Sequence, residues 1–165
     1  MKSVFVIFFL LYSNFLFGQI SLENFFSYFG NNPDKIETFV SNKGFQFDGF
    51  TNGIGKLDNR DGFEFKKKNG SDSSIIRIYT YSNNENKISS ISYSFINTSE
   101  FADFKNQLSK LEFQLKSSKS DVDKYFKKDT IEKHYENKGW LITLYSTYSE
   151  RYGLHYQIVI EKDQF

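Results

Sequence analysis

The 165-residue sequence predicts an α+β protein: two α-β-β-β repeats forming one antiparallel sheet of about six strands, with the helices on one face. Three observations predict it. Apolar residues recur at helical spacing in three short segments, and β-rich or alternating runs mark six others. The two halves of the chain then carry the same order of segments. At 39% hydrophobic and 25% charged, the composition is that of a folded domain, not of a disordered chain or a membrane channel.

The chain opens on an expected address. Lys2 precedes an apolar stretch from Val4 to Phe17, Gly18 supplies a small residue, and polarity begins at Gln19. This is the layout of a secretory signal peptide over residues 1–18. As a helix the stretch spans about 21 Å, and a bilayer core needs roughly 30 Å, so cleavage after Gly18 is expected and no stable membrane span after it. Lys2 is the only charge removed, which leaves 20 basic against 20 acidic side chains over residues 19–165. A nucleic-acid binder carries a basic excess to neutralise phosphates, so that class is set aside. The absence of cysteine excludes disulfides, thiolate metal sites and a cysteine nucleophile.

The remainder reads as a single domain. Leu22, Phe25, Phe26 and Phe29 share one helical face, ended by Gly30. Asn32 is placed to cap a second helix, with Pro33 at its first position, the stripe Ile36, Phe39 and Val40, and Gly44 as its stop. Ser99 is expected to cap a third, with Phe101, Phe104, Leu108 and Leu111 on one face. Strands are expected around Phe63–Phe65, Ile75–Tyr81, Ile88–Ile96, Thr130–Tyr135, Trp140–Tyr148 and Tyr152–Ile160. Turn residues such as Asn69-Gly70-Ser71 and Asn137-Lys138-Gly139 bound them.

Laid side by side, the halves match. Phe45-Gln46-Phe47 aligns with Phe113-Gln114-Leu115, Ile75 to Tyr79 with Leu141 to Tyr145, and Tyr93-Ser94-Phe95 with Tyr156-Gln157-Ile158. The first repeat covers about 21–96 and the second about 99–161. On Lys43-Gly44-Phe45-Gln46-Phe47 and the paired Ile-Ile-Arg-Ile-Tyr and Leu-Ile-Thr-Leu-Tyr strands, the chain resembles small exported bacterial proteins of the PepSY-like and β-lactamase-inhibitor-protein-like group. The likeness is one of architecture and implies an exported, inhibitor-like binding module.

Alternation within the strands assigns two faces. Ile76, Ile78, Ile91, Tyr93, Phe95, Ile142, Leu144, Leu154, Tyr156, Ile158 and Ile160 fall on the side expected under the helices. The opposite, hydrophilic side is rich in Ser, Thr, Tyr, His and Gln and is expected to face water. Tyrosine supplies a broad, rigid contact with a polar tip. Arg77, Tyr79, Tyr81, Tyr145, His155 and Gln157 are therefore the expected contacts for an extracellular or envelope partner, itself unidentified by the sequence. The bland reading is a solvated pleated surface, and A/T-rich codon usage accounts for many of the aromatics.

Chemistry-bearing motifs are sparse. Gly53-Ile54-Gly55-Lys56 has the wrong glycine spacing for a phosphate loop, and Leu57 stands where Ser or Thr would hold magnesium. Asp58-Asn59-Arg60-Asp61-Gly62 resembles a calcium loop but places Leu57 and Lys68 at two ligand positions. His134 and His155 fall on strands separated by a third, so a shared metal is not expected. Lys66-Lys67-Lys68 and Lys127-Lys128 read as solvating strand and helix ends. No cofactor, no metal and no enzymatic activity are expected. The alternatives are a small envelope hydrolase-type enzyme built on carboxylates and His155, and a structural envelope-assembly component.

Overall fold

The computed structural model describes residues 20–52, 60–70, 72–81, 87–123 and 127–162, with the backbone alone at residues 52, 60, 61 and 81. The expected leader over residues 1–18, the Gly53–Lys56 segment and the first residues of the calcium-loop-like run lie outside the described residues.

The described residues form three helices and eight strands. Helix α1 spans Leu22–Phe26, α2 Pro33–Asn42 and α3 Thr98–Lys110. The strands are β1 Gln46–Asn52, β2 Arg60–Asn69, β3 Asp72–Tyr81, β4 Ile88–Phe95, β5 Gln114–Asp123, β6 Lys128–Asn137, β7 Trp140–Ser149 and β8 Gly153–Lys162. They form one antiparallel sheet in the order β1-β2-β3-β4-β8-β7-β6-β5. Each half is thus a four-stranded meander, and the last strands of the two halves pair at the centre.

This corrects the expectation of six strands in two helix-plus-three-strand units. The two additional strands, β1 and β5, are the outer edges of the sheet. Each carries a β-bulge, in β1 between Phe47 and Gly49 and in β5 between Leu115 and Lys116's successor Ser117. An inserted residue breaks strict alternation, so Phe47 and Phe50 both face the helix side, paired with Phe65 and Phe63. Strand β5 is exposed along nearly its whole length and carries no apolar period at all.

The local starts and stops follow from capping. At α1 the Ser21 hydroxyl accepts from the Asn24 amide while the Asn24 side chain accepts from the Ser21 amide, a capping box that holds a five-residue helix. Pro33 opens α2, where its missing N–H costs nothing. The cap of α3 is Asn97, not Ser99: its Oδ1 accepts from the amides of Ser99 and Glu100 at 2.9 and 3.2 Å. Ser99 sits inside the first turn and donates its own hydroxyl to Asn97.

Lys67 does more than solvate a strand end. Its Nζ donates to the carbonyl of Lys43 at the C-terminus of α2, where the helix dipole favours a cation.

The core lies between the helices and one face of the sheet. Leu22, Phe25, Ile36, Val40, Phe104 and Leu108 from the helices pack on the apolar positions of β2, β3, β4, β7 and β8. Phe26 and Phe29 of the α1 segment close on Trp140 at ring distances of 4.4 and 4.8 Å, which fastens the first half to the second.

The ladder also revises the match between halves. Ile76 pairs with Tyr93, and Ile142, its counterpart, pairs with Ile160. Tyr93 therefore corresponds to Ile160, four residues beyond the Tyr156 that local similarity suggests. The face assignment survives, because an even slip preserves strand parity.

Candidate functional site

The side of the sheet opposite the three described helices is organised in rows that cross both halves. One row runs Glu64, Arg77, Ser92, Val159, Thr143 and His134 through successive pairs from β2 to β6. The next runs Ser94, Gln157, Tyr145 and Glu132. Antiparallel partners point to the same side, so these residues share a surface although they lie far apart in the chain.

The expected contacts are brought together in part. Arg77 Nε donates to Glu64 Oε2 at 2.7 Å, with both side chains about a quarter exposed. Gln157 and Tyr145 are direct cross-strand neighbours. His155 stands one step along β8, beside Thr147. Tyr81 is the last residue of β3, and its side chain lies outside the described residues.

The expectation that the whole face is wet needs correction. Tyr79 is 5% exposed, and Ser90 and Ser92 are 0% and 3% exposed. These serines sit in register between larger neighbours, Arg77 and Tyr79 on β3 and Val159 and Glu161 on β8. Short side chains in such a row form a recessed floor. Gln157 Nε2 donates to Ser92 Oγ at 2.7 Å, while Ser90 Oγ is buried with no hydrogen-bond partner. Burial pushes the Tyr79 hydroxyl pKa above 10.0; the Arg77 cation opposes that and the Glu64 carboxylate adds to it.

The open part of the face lies over the second half. A hollow of about 650 Å³ is lined by Lys116, Glu132, His134, Thr143, Tyr145 and Glu161, among others. His134 Nε2 lies 2.6 Å from Glu132 Oε1, and its Nδ1 lies 3.1 Å from Thr143 Oγ1. Burial, followed by the nearby Glu132 and Glu161 carboxylates, raises the Tyr145 hydroxyl. Of this group, the expected contacts included only Tyr145. A signal for the rest exists in the sequence. The two-residue turn Lys138-Gly139, both at positive φ, sets Asn137 opposite Trp140. Counting back three pairs places His134 opposite Thr143.

The chemistry available is polar contact plus an imidazole–hydroxyl hydrogen bond between His134 and Thr143; the Glu132 carboxylate lies close to the buried His134 Nε2 but not in hydrogen-bond geometry. His134 and His155 share the face with β7 between them. Among the described residues, no three His, Asp or Glu side chains are placed to hold a metal ion, and no helix is long and apolar enough to cross a membrane.

Among the described residues, fold and site together define an α+β protein with one eight-stranded antiparallel sheet, helices on one side and a polar, partly recessed surface on the other. No protein-family model, curated protein or solved structure matches the chain.

Proposed function

We propose that the protein is an exported, inhibitor-like binding module that docks a protein or envelope component through the helix-free face of its sheet. The observation that carries the reading is the placement of Arg77, Tyr145, His155 and Gln157 on that one face, beside a hollow of about 650 Å³. Rigid strands hold these groups in fixed register, so little ordering entropy is lost on contact. The Arg77–Glu64 pair and the Glu132 and Glu161 carboxylates give the surface a pattern of charge that selects a partner more than it adds affinity.

The test is capture of a partner from envelope and secreted fractions by the chain from Gln19 onward, followed by Arg77→Ala and Tyr145→Ala. Both side chains are partly exposed and lie outside the apolar core. Each variant is expected to weaken a saturable partner by about tenfold or more, as central aromatic and Arg contacts do. Unchanged capture by both variants assigns the docking surface elsewhere.

A second reading, a small envelope hydrolase, rests on the alignment of Glu132, His134 and Thr143. In it His134 would take the Thr143 proton while Glu132 orients the imidazole. It is the weaker reading, because strands β6 and β7 engage their backbone amides in the ladder where an oxyanion needs donors. Hydrolysis of an activated ester that disappears in His134→Ala would establish it over docking.

A further inference from the structure

Both edges of the sheet carry a bulge, which itself discourages pairing, but their side chains differ. Strand β5 presents Lys116 and Lys119 among serines, the charged pattern that discourages pairing with another chain. Strand β1, Gln-Phe-Asp-Gly-Phe-Thr-Asn, has neither lysine nor proline, and among the described strands it pairs with β2 alone. Its Phe47 and Phe50 are 48% and 80% exposed.

The bulge at Asp48 turns both rings to the helix side. There Phe47 lies 5.3 Å from Phe50 and 5.7 Å from Phe65, and Phe50 lies 5.6 Å from Phe63. The start of α2 completes a hollow of about 200 Å³ with Pro33, Asp34 and Glu37. An apolar floor therefore meets two carboxylates beside a strand edge that no other described strand pairs with.

We propose that β1 is a second docking site, which takes an extended peptide segment of another protein as a ninth strand. The segment has an apolar side chain for the phenylalanine hollow and a Lys or Arg two positions away for Asp34 and Glu37. The strand edge supplies main-chain hydrogen bonds, the hollow selects side chains at alternate positions, and the carboxylates select charge. A second copy of this chain fits less well. Two β1 edges paired about a two-fold axis would bring the acidic starts of both α2 helices toward each other without a compensating cation in the hollow. The surface lies on the helix side and is independent of the docking face proposed above.

The experiment uses the chain from Gln19 onward and the blocked hexapeptide Lys-Thr-Leu-Thr-Lys-Thr, whose Lys, Leu and Lys share one face of a strand. Its counterpart carries Glu in place of both Lys. Amide NMR is expected to show shifts and slowed hydrogen exchange over residues 46–52 with the Lys peptide. Affinity for the Glu peptide is expected to be at least tenfold weaker. Asp34→Asn combined with Glu37→Gln should remove that preference, and Phe50→Ser should weaken both peptides at least fivefold. Phe50 is largely exposed, so the latter variant is expected to fold; the charge variants provide the same test if it does not. Equal binding of the two peptides, absence of protection along β1, or concentration-dependent self-association mapped to β1 would each overturn the proposal.

Discussion

Gln157 Nε2 donates to Ser92 Oγ at 2.7 Å across the central β4–β8 seam, which among the described strands is the one ladder that joins the two halves. Ser92 is 3% exposed, so its hydroxyl has little access to water as an alternative partner. Gln157→Ala is expected to cost about 1–3 kcal/mol, because it leaves a buried hydroxyl unpaired. Changing Ser92 to Ala as well should recover part of that loss. Urea unfolding of the two single variants and the double variant measures the coupling; strictly additive losses would show that the bond does not tie the halves.

Gly62 is required by close approach rather than by its backbone angles. A Cβ at that position would lie 2.6 Å from the Thr51 carbonyl oxygen and 2.6 Å from Thr51 Cγ2. Gly62→Ala is therefore expected to destabilise by about 1–3 kcal/mol through overpacking between β1 and β2. Thr51→Ser should not rescue it, since the carbonyl remains. Thermal unfolding of both variants checks this, and full rescue would place the conflict in the side chain alone.

Asn97, not Ser99, caps α3, and the two residues separate cleanly in a stability measurement. Loss of the Asn97 carbonyl oxygen orphans two amides, so Asn97→Ala is expected to cost about 1 kcal/mol. Ser99→Ala removes only an exposed hydroxyl and should stay within about 0.5 kcal/mol of the parent. Chemical denaturation ranks them; the reverse order would refute the cap assignment.

Glu100 predicts a pH dependence of stability. Its carboxyl, which accepts the Tyr93 hydroxyl at 2.8 Å, is raised above 4.5, first by burial and then by the nearby Asp103, against the opposing Tyr93 hydrogen bond and Lys67. A carboxyl with a higher pKa folded than unfolded binds more protons in the native state. Its contribution is thus complete below the unfolded value and is lost as pH rises through the folded one. Glu100→Gln should flatten that decline and narrow its difference from the parent at acid pH. Melting temperatures between pH 4 and pH 8 test it, and identical slopes for the two chains would refute it.

Raised tyrosines extend the same sign to alkali. Burial is the leading cause at Tyr79, Tyr93, Tyr135 and Tyr145, each shifted above 10.0. Their contribution is present below pH 10 and lost above it. The part of the phenolate absorbance that belongs to these four side chains should therefore appear together with unfolding; ionisation of all tyrosines in a folded chain would contradict this.

Periodicity alone determined much of this protein. Strict alternation placed Ile76, Ile78, Ile91 and Ile158 under the helices, and all four are fully buried. The same parity assigned Arg77, Tyr145, His155 and Gln157 to the other side, because a strand has only two faces.

Tertiary structure decided what parity cannot encode. A bulge concealed β1 from a period-two pattern, and β5, exposed along nearly its whole length, has no such pattern to show. Ladder register matched Tyr93 to Ile160 and set Glu132, His134 and Thr143 together. Depth separated the buried Tyr79 from the accessible Tyr145 although both belong to the polar face. Sequence spacing records which way a side chain points along its own strand, whereas its neighbours, and the water left to it, depend on pairing and on residues distant in the chain.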